Sequence, residues 1–131
     1  MTQNQQVDNL DNTDHHCDHQ YERRFQGAHT LYGSAAVDTF AKAHVYVIGV
    51  GGVGSWAAEA LARTAVGEIT LVDLDVLVAS NVNRQLPALD STFGQSKIEA
   101  VAKRIREINP KVTVHLIDDF LTPTNVEALL P

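Results

Sequence analysis

A run of glycines in the N-terminal half of the chain has the spacing of a phosphate-binding turn. The run reads Gly49-Val50-Gly51-Gly52-Val53-Gly54 and separates a short apolar segment from an alanine-rich one. Glycine lets the backbone approach phosphate oxygens without a β-carbon in the way, and a helix N-terminus adds unpaired N–H donors. We therefore expect Gly49, Gly51, Gly52 and Gly54 to bind a nucleotide. A tight strand-to-helix turn without a ligand is the alternative.

Two aspartates lie at the end of the next apolar segment. Asp73 follows Gly54 by 19 positions, which is close to the offset expected for a carboxylate that binds ribose hydroxyls. Such a carboxylate disfavours a phosphorylated ribose, but NAD and ATP fit these residues equally well. Asp75 would either assist through a metal ion or cap the following turn.

Two cations further along the chain favour a triphosphate over a dinucleotide. A triphosphate usually needs Arg, Lys or magnesium to offset its charge, whereas one pyrophosphate is met by backbone donors. Arg84 lies in the segment Asn81-Val82-Asn83-Arg84-Gln85, and Lys97 lies in the first turn of a predicted helix. The helix dipole disfavours lysine at that end, so Lys97 is a functional candidate. An exposed lysine without a role is the alternative.

An alternation of strands and helices would position these residues. Short apolar segments predict three strands, at 44–48, 68–73 and 112–116. Amphipathic segments predict helices at 34–42, 55–65 and 95–108, with a last short helix opened by Pro123. This order predicts an α/β protein with a Rossmann-like, doubly wound parallel sheet, of which the chain contains the N-terminal half. Because no fourth strand precedes Pro131, we expect a larger parent protein or an edge supplied by another chain.

Composition and charge are those of one globular domain. The chain has 131 residues, a net charge of −6 and a single cysteine, and no apolar run reaches the roughly 18 residues of a membrane span. Residues 1–18 lack apolar periodicity, so we expect a disordered acidic tail followed by one domain at 19–131. His15, His16 and Cys17 of the tail, together with the adjacent His19, give no fixed geometry, and we expect no bound metal there. The lone cysteine and the missing signal peptide predict a cytoplasmic protein.

Five segments, in order, resemble the adenylation domain of the ubiquitin-activating-enzyme superfamily, which includes ThiF, MoeB and HesA. They are residues 49–54, 71–75, 81–85, 94–97 and 108–110, and the resemblance covers roughly residues 20 to 131. Three further segments, at 24–25, 31–33 and 54–63, look most like the branch that dehydrates threonylcarbamoyladenosine in tRNA.

The resemblance implies ATP and Mg²⁺ as cofactors and adenylation of a carboxylate as the reaction. In the dehydratase branch the carboxylate belongs to the threonyl group of the modified adenosine, and an internal nitrogen then closes a ring and expels AMP. The alternative within the superfamily is an adenylyltransferase that acts on the C-terminal glycine of a ubiquitin-like sulfur carrier, with sulfur-relay proteins as partners. A nicotinamide-dependent oxidoreductase and a non-catalytic nucleotide-binding module also stay open.

The resemblance also implies roles for particular residues. Besides the four glycines, the residues expected to bind ATP are Asp73, Asp75, Ser80, Asn81, Asn83, Arg84 and Lys97. Arg24 matches an arginine that reaches the triphosphate of a neighbouring subunit, which implies a homodimer, and we expect Arg24, Arg84 and Lys97 to act in catalysis. The metal-linked aspartate of the superfamily lies on a strand after Pro131, so we expect this polypeptide alone to be inactive or nearly so.

Overall fold

The computed structural model describes residues 19–131, so the predicted acidic tail at 1–18 lies outside the described residues. Residues 19–24 are helical. The elements that follow are α1 (Gln26–Tyr32), α2 (Ser34–Lys42), β1 (His44–Ile48), α3 (Gly54–Arg63), β2 (Glu68–Val72), α4 (Lys97–Ile108), β3 (Thr113–Ile117) and α5 (Val126–Leu129). Two short 3₁₀ turns, Ala79–Asn81 and Asp90–Thr92, lie in the long connection between β2 and α4.

The three strands form one parallel sheet in the order β1-β2-β3. His44 pairs with Glu68, and Glu68 pairs with Thr113 on the far side. Both pairings continue without interruption to the ends of the strands, where Ile48 of β1 pairs with Val72 of β2 and Val72 pairs with Ile117 of β3. The predicted α/β class, with three parallel strands joined by helices, is confirmed.

One face of the sheet packs against α3 and α4. The strand residues on this face include Val47, Ile69 and Leu71, all of which are buried. Ala58 and Ala62 of α3 are fully buried against them, and their small side chains let the helix lie close to the sheet. The buried face of α4 consists of Ile98, Val101, Ala102 and Ile105. Apolar burial on this face holds the carboxyl ends of the strands beside the helix N-termini.

A buried carboxylate joins the two helices of this layer. Glu59 of α3 is 8% exposed. Its two oxygens accept hydrogen bonds from Nε of Arg104, at 2.6 Å, and from Nη2 of the same side chain, at 2.9 Å. Arg63 lies 2.8 Å from the same carboxylate. The hydrogen bonds from Arg104 lower the pKa of Glu59, because they favour its charged form.

Several element boundaries differ from those predicted. Helix α4 begins at Lys97 rather than at residue 95, because the chain before it is extended and Ser96 forms an antiparallel bridge with Val76. Helix α3 ends at Arg63 rather than at residue 65, whereas α2 has the predicted bounds. None of the described helices has the length and apolar character needed to cross a membrane.

Candidate nucleotide-binding site

The glycine run forms the turn between β1 and α3. Gly49 has φ +82°, a left-handed conformation that glycine adopts without strain. A β-carbon on Gly54 would lie 1.7 Å from the carbonyl oxygen of Gly49. Gly54 is therefore required for the turn to close on itself, whether or not a ligand is bound. The turn places the N-terminus of α3 at the carboxyl end of β1, a position that favours a bound anion.

Asp73 connects the glycine turn to the end of β2. Its carboxylate is buried, and it accepts hydrogen bonds from the backbone N–H of Val50 and from that of Asp75, each at 2.8 Å. The same residue lines a cleft of about 240 Å³. Asp73 therefore fixes the shape of the turn, and its side chain also borders the space in which the predicted ribose would lie.

Lys97 lies next to Asp75, which lines the same cleft. The Nζ atom of Lys97 is 3.5 Å from Oδ2 of Asp75, and the backbone N–H of Lys97 donates to the Asp75 carbonyl at 3.1 Å. The Lys97 side chain is only 8% exposed, whereas that of Asp75 is 57% exposed. The alternative of an exposed surface lysine is therefore wrong. A lysine held among backbone and carboxylate groups at a helix start is suited to contact an additional anion.

Arg84 lies over the other side of the glycine turn. Its Cγ would be 3.3 Å from a β-carbon on Gly52, so the aliphatic stem packs against that glycine. The guanidinium donates to the carbonyl of Ser80 at 3.1 Å and to Oδ1 of Asn83 at 2.9 Å. Trp56 donates from its ring nitrogen to the Arg84 carbonyl at 3.0 Å. Ser80 and Asn83 thus orient the cation at the mouth of the turn.

Asn81 and Gln85, in the same loop as Arg84, are buried. The Oδ1 atom of Asn81 accepts the N–H of Val78 at 3.0 Å, so this side chain shapes the loop. Gln85 lies 6% exposed, and its Oε1 atom has no hydrogen-bond partner among the described residues. Its Nε2 atom would be 3.8 Å from a β-carbon on Gly51. The loop that packs against the glycine turn thus contains one buried acceptor without a partner among the described residues.

The cleft next to the turn lies at the carboxyl ends of the strands, where open parallel sheets bind their ligands. Besides Gly49, Asp73 and Asp75, it is lined by Asp119 and Phe120. Neither of these last two residues was predicted from the sequence. The position of Asp119, shortly after the last strand, is a signal that was available, because adjacent parallel strands end at the same edge. Trp56 was also missed.

Arg24 is not part of this cluster within one chain. Its Nη1 atom donates to the carbonyls of Glu107 and Ile108, at 2.9 and 3.2 Å, and so it caps the C-terminal end of α4. Lys97 begins that 12-residue helix, and the two ends are about 16 Å apart along the axis. A role for Arg24 at the nucleotide of a neighbouring subunit stays a prediction.

A glycine turn at a helix N-terminus, with Arg84 packed against it and a carboxylate-lined cleft next to it, is the arrangement with which α/β proteins of the Rossmann type bind nucleotides. The family model described as the ThiF family matches residues 21–131, and the chain belongs to this family.

Similar proteins include tRNA-modifying enzymes. The chain is 54% identical over 106 residues to a tRNA threonylcarbamoyladenosine dehydratase of Escherichia coli (strain K12), a match that covers 81% of this chain and 40% of that protein. The crystal structure of an E. coli tRNA N6-threonylcarbamoyladenosine dehydratase in complex with ATP superposes with a TM-score of 0.82 at 52% identity, covering 83% of this chain and 45% of that one. A molybdopterin-synthase adenylyltransferase of Salmonella typhimurium is 40% identical over 85 residues, which are 61% of this chain and 34% of that protein. The chain thus spans about 40% of the length of the first of these relatives.

Proposed function

We propose that the protein containing this chain is an ATP-dependent dehydratase of threonylcarbamoyladenosine in tRNA. The observation that carries the proposal is the placement of Lys97 and Arg84. Lys97 is held beside Asp75 at the cleft, and Arg84 is packed over Gly52. One cation against the glycine turn and a second beside a carboxylate of the cleft match the charge of a triphosphate better than that of a dinucleotide. The high identity to dehydratases, one of them solved with ATP, supports the choice of nucleotide and substrate.

The chain's own residues would bind and orient the reactants. The N–H groups of the turn at Gly51 and Gly52 and the cations Arg84 and Lys97 would lie along the phosphates, with Asp73 at the ribose. ATP supplies an AMP group that turns a carboxylate into a mixed anhydride with a good leaving group. Arg84 and Lys97 would offset the negative charge that develops during this transfer, and they need no rearrangement because Asn83 and Asp75 already orient them.

Magnesium fits the carboxylates of the cleft. Asp75 and Asp119 both line it, and oxygen ligands of this kind are those that Mg²⁺ prefers. When bound, Mg²⁺ would neutralise part of the triphosphate charge. Asp75 would then be shared between the metal and Lys97, a role that agrees with its half-exposed side chain.

Assembly and location are further parts of the proposal. Arg24 lies on the surface away from the chain's own glycine turn, and it would serve the nucleotide of a second copy in a homodimer. The domain would begin near residue 19, and the protein would act on tRNA in the cytoplasm. The likeness to a molybdopterin-synthase adenylyltransferase favours a second candidate, adenylation of a sulfur-carrier protein at its C-terminal glycine.

ATP–pyrophosphate exchange with the full natural polypeptide tests the proposal. We expect exchange that depends on tRNA carrying threonylcarbamoyladenosine and that is unchanged by a small sulfur-carrier protein. Stimulation by the carrier alone would favour the second candidate. Binding of NAD, with no response to ATP, would refute both.

A further inference from the structure

A second group of side chains lies on the sheet face that is opposite the helices. His44, Glu68 and His115 come from β1, β2 and β3, and each offers one ligand atom within 4.8 Å of the others. The register brings them together, because His44 pairs with Glu68 while His115 pairs with Thr70, two residues further along the same face. His44 lies about 16 Å along β1 from Gly49, so the cluster is separate from the nucleotide site.

The side chains are already oriented towards a common point. Nε2 of His115 is 2.7 Å from Oε1 of Glu68, and Nδ1 of His44 is 3.7 Å from the same oxygen. The other ring nitrogen of His44, Nε2, is 2.7 Å from the hydroxyl of Thr70, which is 2% exposed. The Thr70 contact fixes the His44 ring with Nδ1 facing the carboxylate. Such a hydrogen bond on the far nitrogen is typical of metal-binding histidines.

We propose that His44, Glu68 and His115 bind a divalent transition-metal ion of the Zn²⁺ class. Two imidazoles and one carboxylate are a donor set that zinc accepts, whereas Ca²⁺ and Mg²⁺ prefer oxygen alone. Within the described residues the three side chains are 31%, 39% and 49% exposed, in chain order, which leaves the ligand atoms accessible to an ion. Ligand atoms bound to one zinc ion lie roughly 3 to 3.5 Å apart, and the present separations need only small side-chain rotations.

Binding of Zn²⁺ alone to the chelator-treated, full natural polypeptide tests the proposal, measured by calorimetry near neutral pH. We expect one saturable site per chain that His115→Asn abolishes and Glu68→Gln weakens. Thr70→Val keeps the side-chain volume but loses the hydrogen bond to His44, and it should weaken Zn²⁺ binding about 10- to 100-fold. Co²⁺ bound in place of zinc should give the visible absorption of a low-symmetry site with nitrogen ligands.

The histidines near the N-terminus provide the matched control. A variant with His15→Asn, His16→Asn and Cys17→Ser should keep the site at full affinity. If His115→Asn does not fold without metal, Thr70→Val and Glu68→Gln still decide the question through their affinities. Absence of saturable binding, binding unchanged in both of these variants, or binding lost only in the N-terminal variant would overturn the proposal. If no saturable binding is found, the three side chains form a hydrogen-bonded cluster and not a metal site.

Discussion

Replacing Lys97 with methionine removes the ammonium group beside Asp75 and leaves most of the buried stem in place. The lost contact would be one hydrogen bond between charged groups in a site where the lysine is 8% exposed. Bonds of this kind contribute about 1.5 to 3 kcal/mol. At about 1.4 kcal/mol per tenfold change, the dissociation constant of ATP should rise about 10- to 150-fold.

The same substitution should change the stability of the fold little. The only charged partner of Lys97 among the described residues is Asp75, 3.5 Å away and more than half exposed, so water can replace the ammonium there. Removing a buried charge also relieves its desolvation cost. We expect the free energy of unfolding to change by less than about 1 kcal/mol. Isothermal titration calorimetry and thermal unfolding separate the two effects.

The matched control is Lys103→Met on the exposed face of the same helix, which should leave the ATP affinity unchanged. If Lys97→Met binds ATP within about threefold of the unchanged chain, Lys97 does not contact the nucleotide. That result would remove the main reason for preferring a triphosphate over a dinucleotide. An equal loss of affinity in both variants would indicate a general charge effect instead.

Three further substitutions test the site and the helix layer that supports it. Asp73→Asn turns one of two N–H acceptors into a donor, and it should destabilise the fold by about 1 to 3 kcal/mol in chemical denaturation; an unchanged midpoint would contradict the bonds to Val50 and Asp75. The pKa of Glu59 is lowered in the fold, so its stabilisation is complete above its ordinary pKa of 4.5 and is lost as the pH falls through the lower, folded value. Glu59→Gln should therefore be less stable at neutral pH yet flatter in its acid dependence; parallel pH curves for the two proteins would contradict this. Arg84→Lys keeps the charge but has a single nitrogen on a shorter side chain, so it cannot bind Ser80 and Asn83 and also present a second nitrogen to a phosphate. ATP binding should therefore weaken about tenfold, while equal affinity would refute the role of that orientation.

Much of the fold followed from local patterns in the sequence. The branched apolar segment at 44–48 became β1 with the predicted bounds. The amphipathic segment predicted at 95–108 became α4, with Ile98, Val101 and Ile105 on its buried face. Both predictions depend on the periodicity of apolar residues and on the position of nearby glycines, which are local features of the sequence. The start of α4 was placed too early because the bridge between Val76 and Ser96 is a contact between distant segments.

The site could be predicted only in part, because it also depends on contacts between segments that are distant in the sequence. The spacing of the glycines and of Asp73 predicts a nucleotide site, and the unfavourable position of Lys97 at a helix start marks it as a candidate. The structure brings these residues to one edge of the sheet. That Asn81 would be buried, and that the Arg84 stem would cover Gly52, depends on how the long connection folds back over α3.

Predicting the cluster of His44, Glu68 and His115 on the other face of the sheet would need still more information. It requires the register of all three strands, because His44, Glu68 and His115 are far apart in the sequence. No local pattern in a single sequence supplies that register.

The most direct test of the account is a crystal structure of the protein with bound ATP. We predict that the phosphates lie against the N–H groups of Gly51 and Gly52, between the Arg84 guanidinium and the Lys97 ammonium, with the ribose beside Asp73. A nucleotide bound elsewhere, or bound at the turn with both cations directed away from its phosphates, would contradict it.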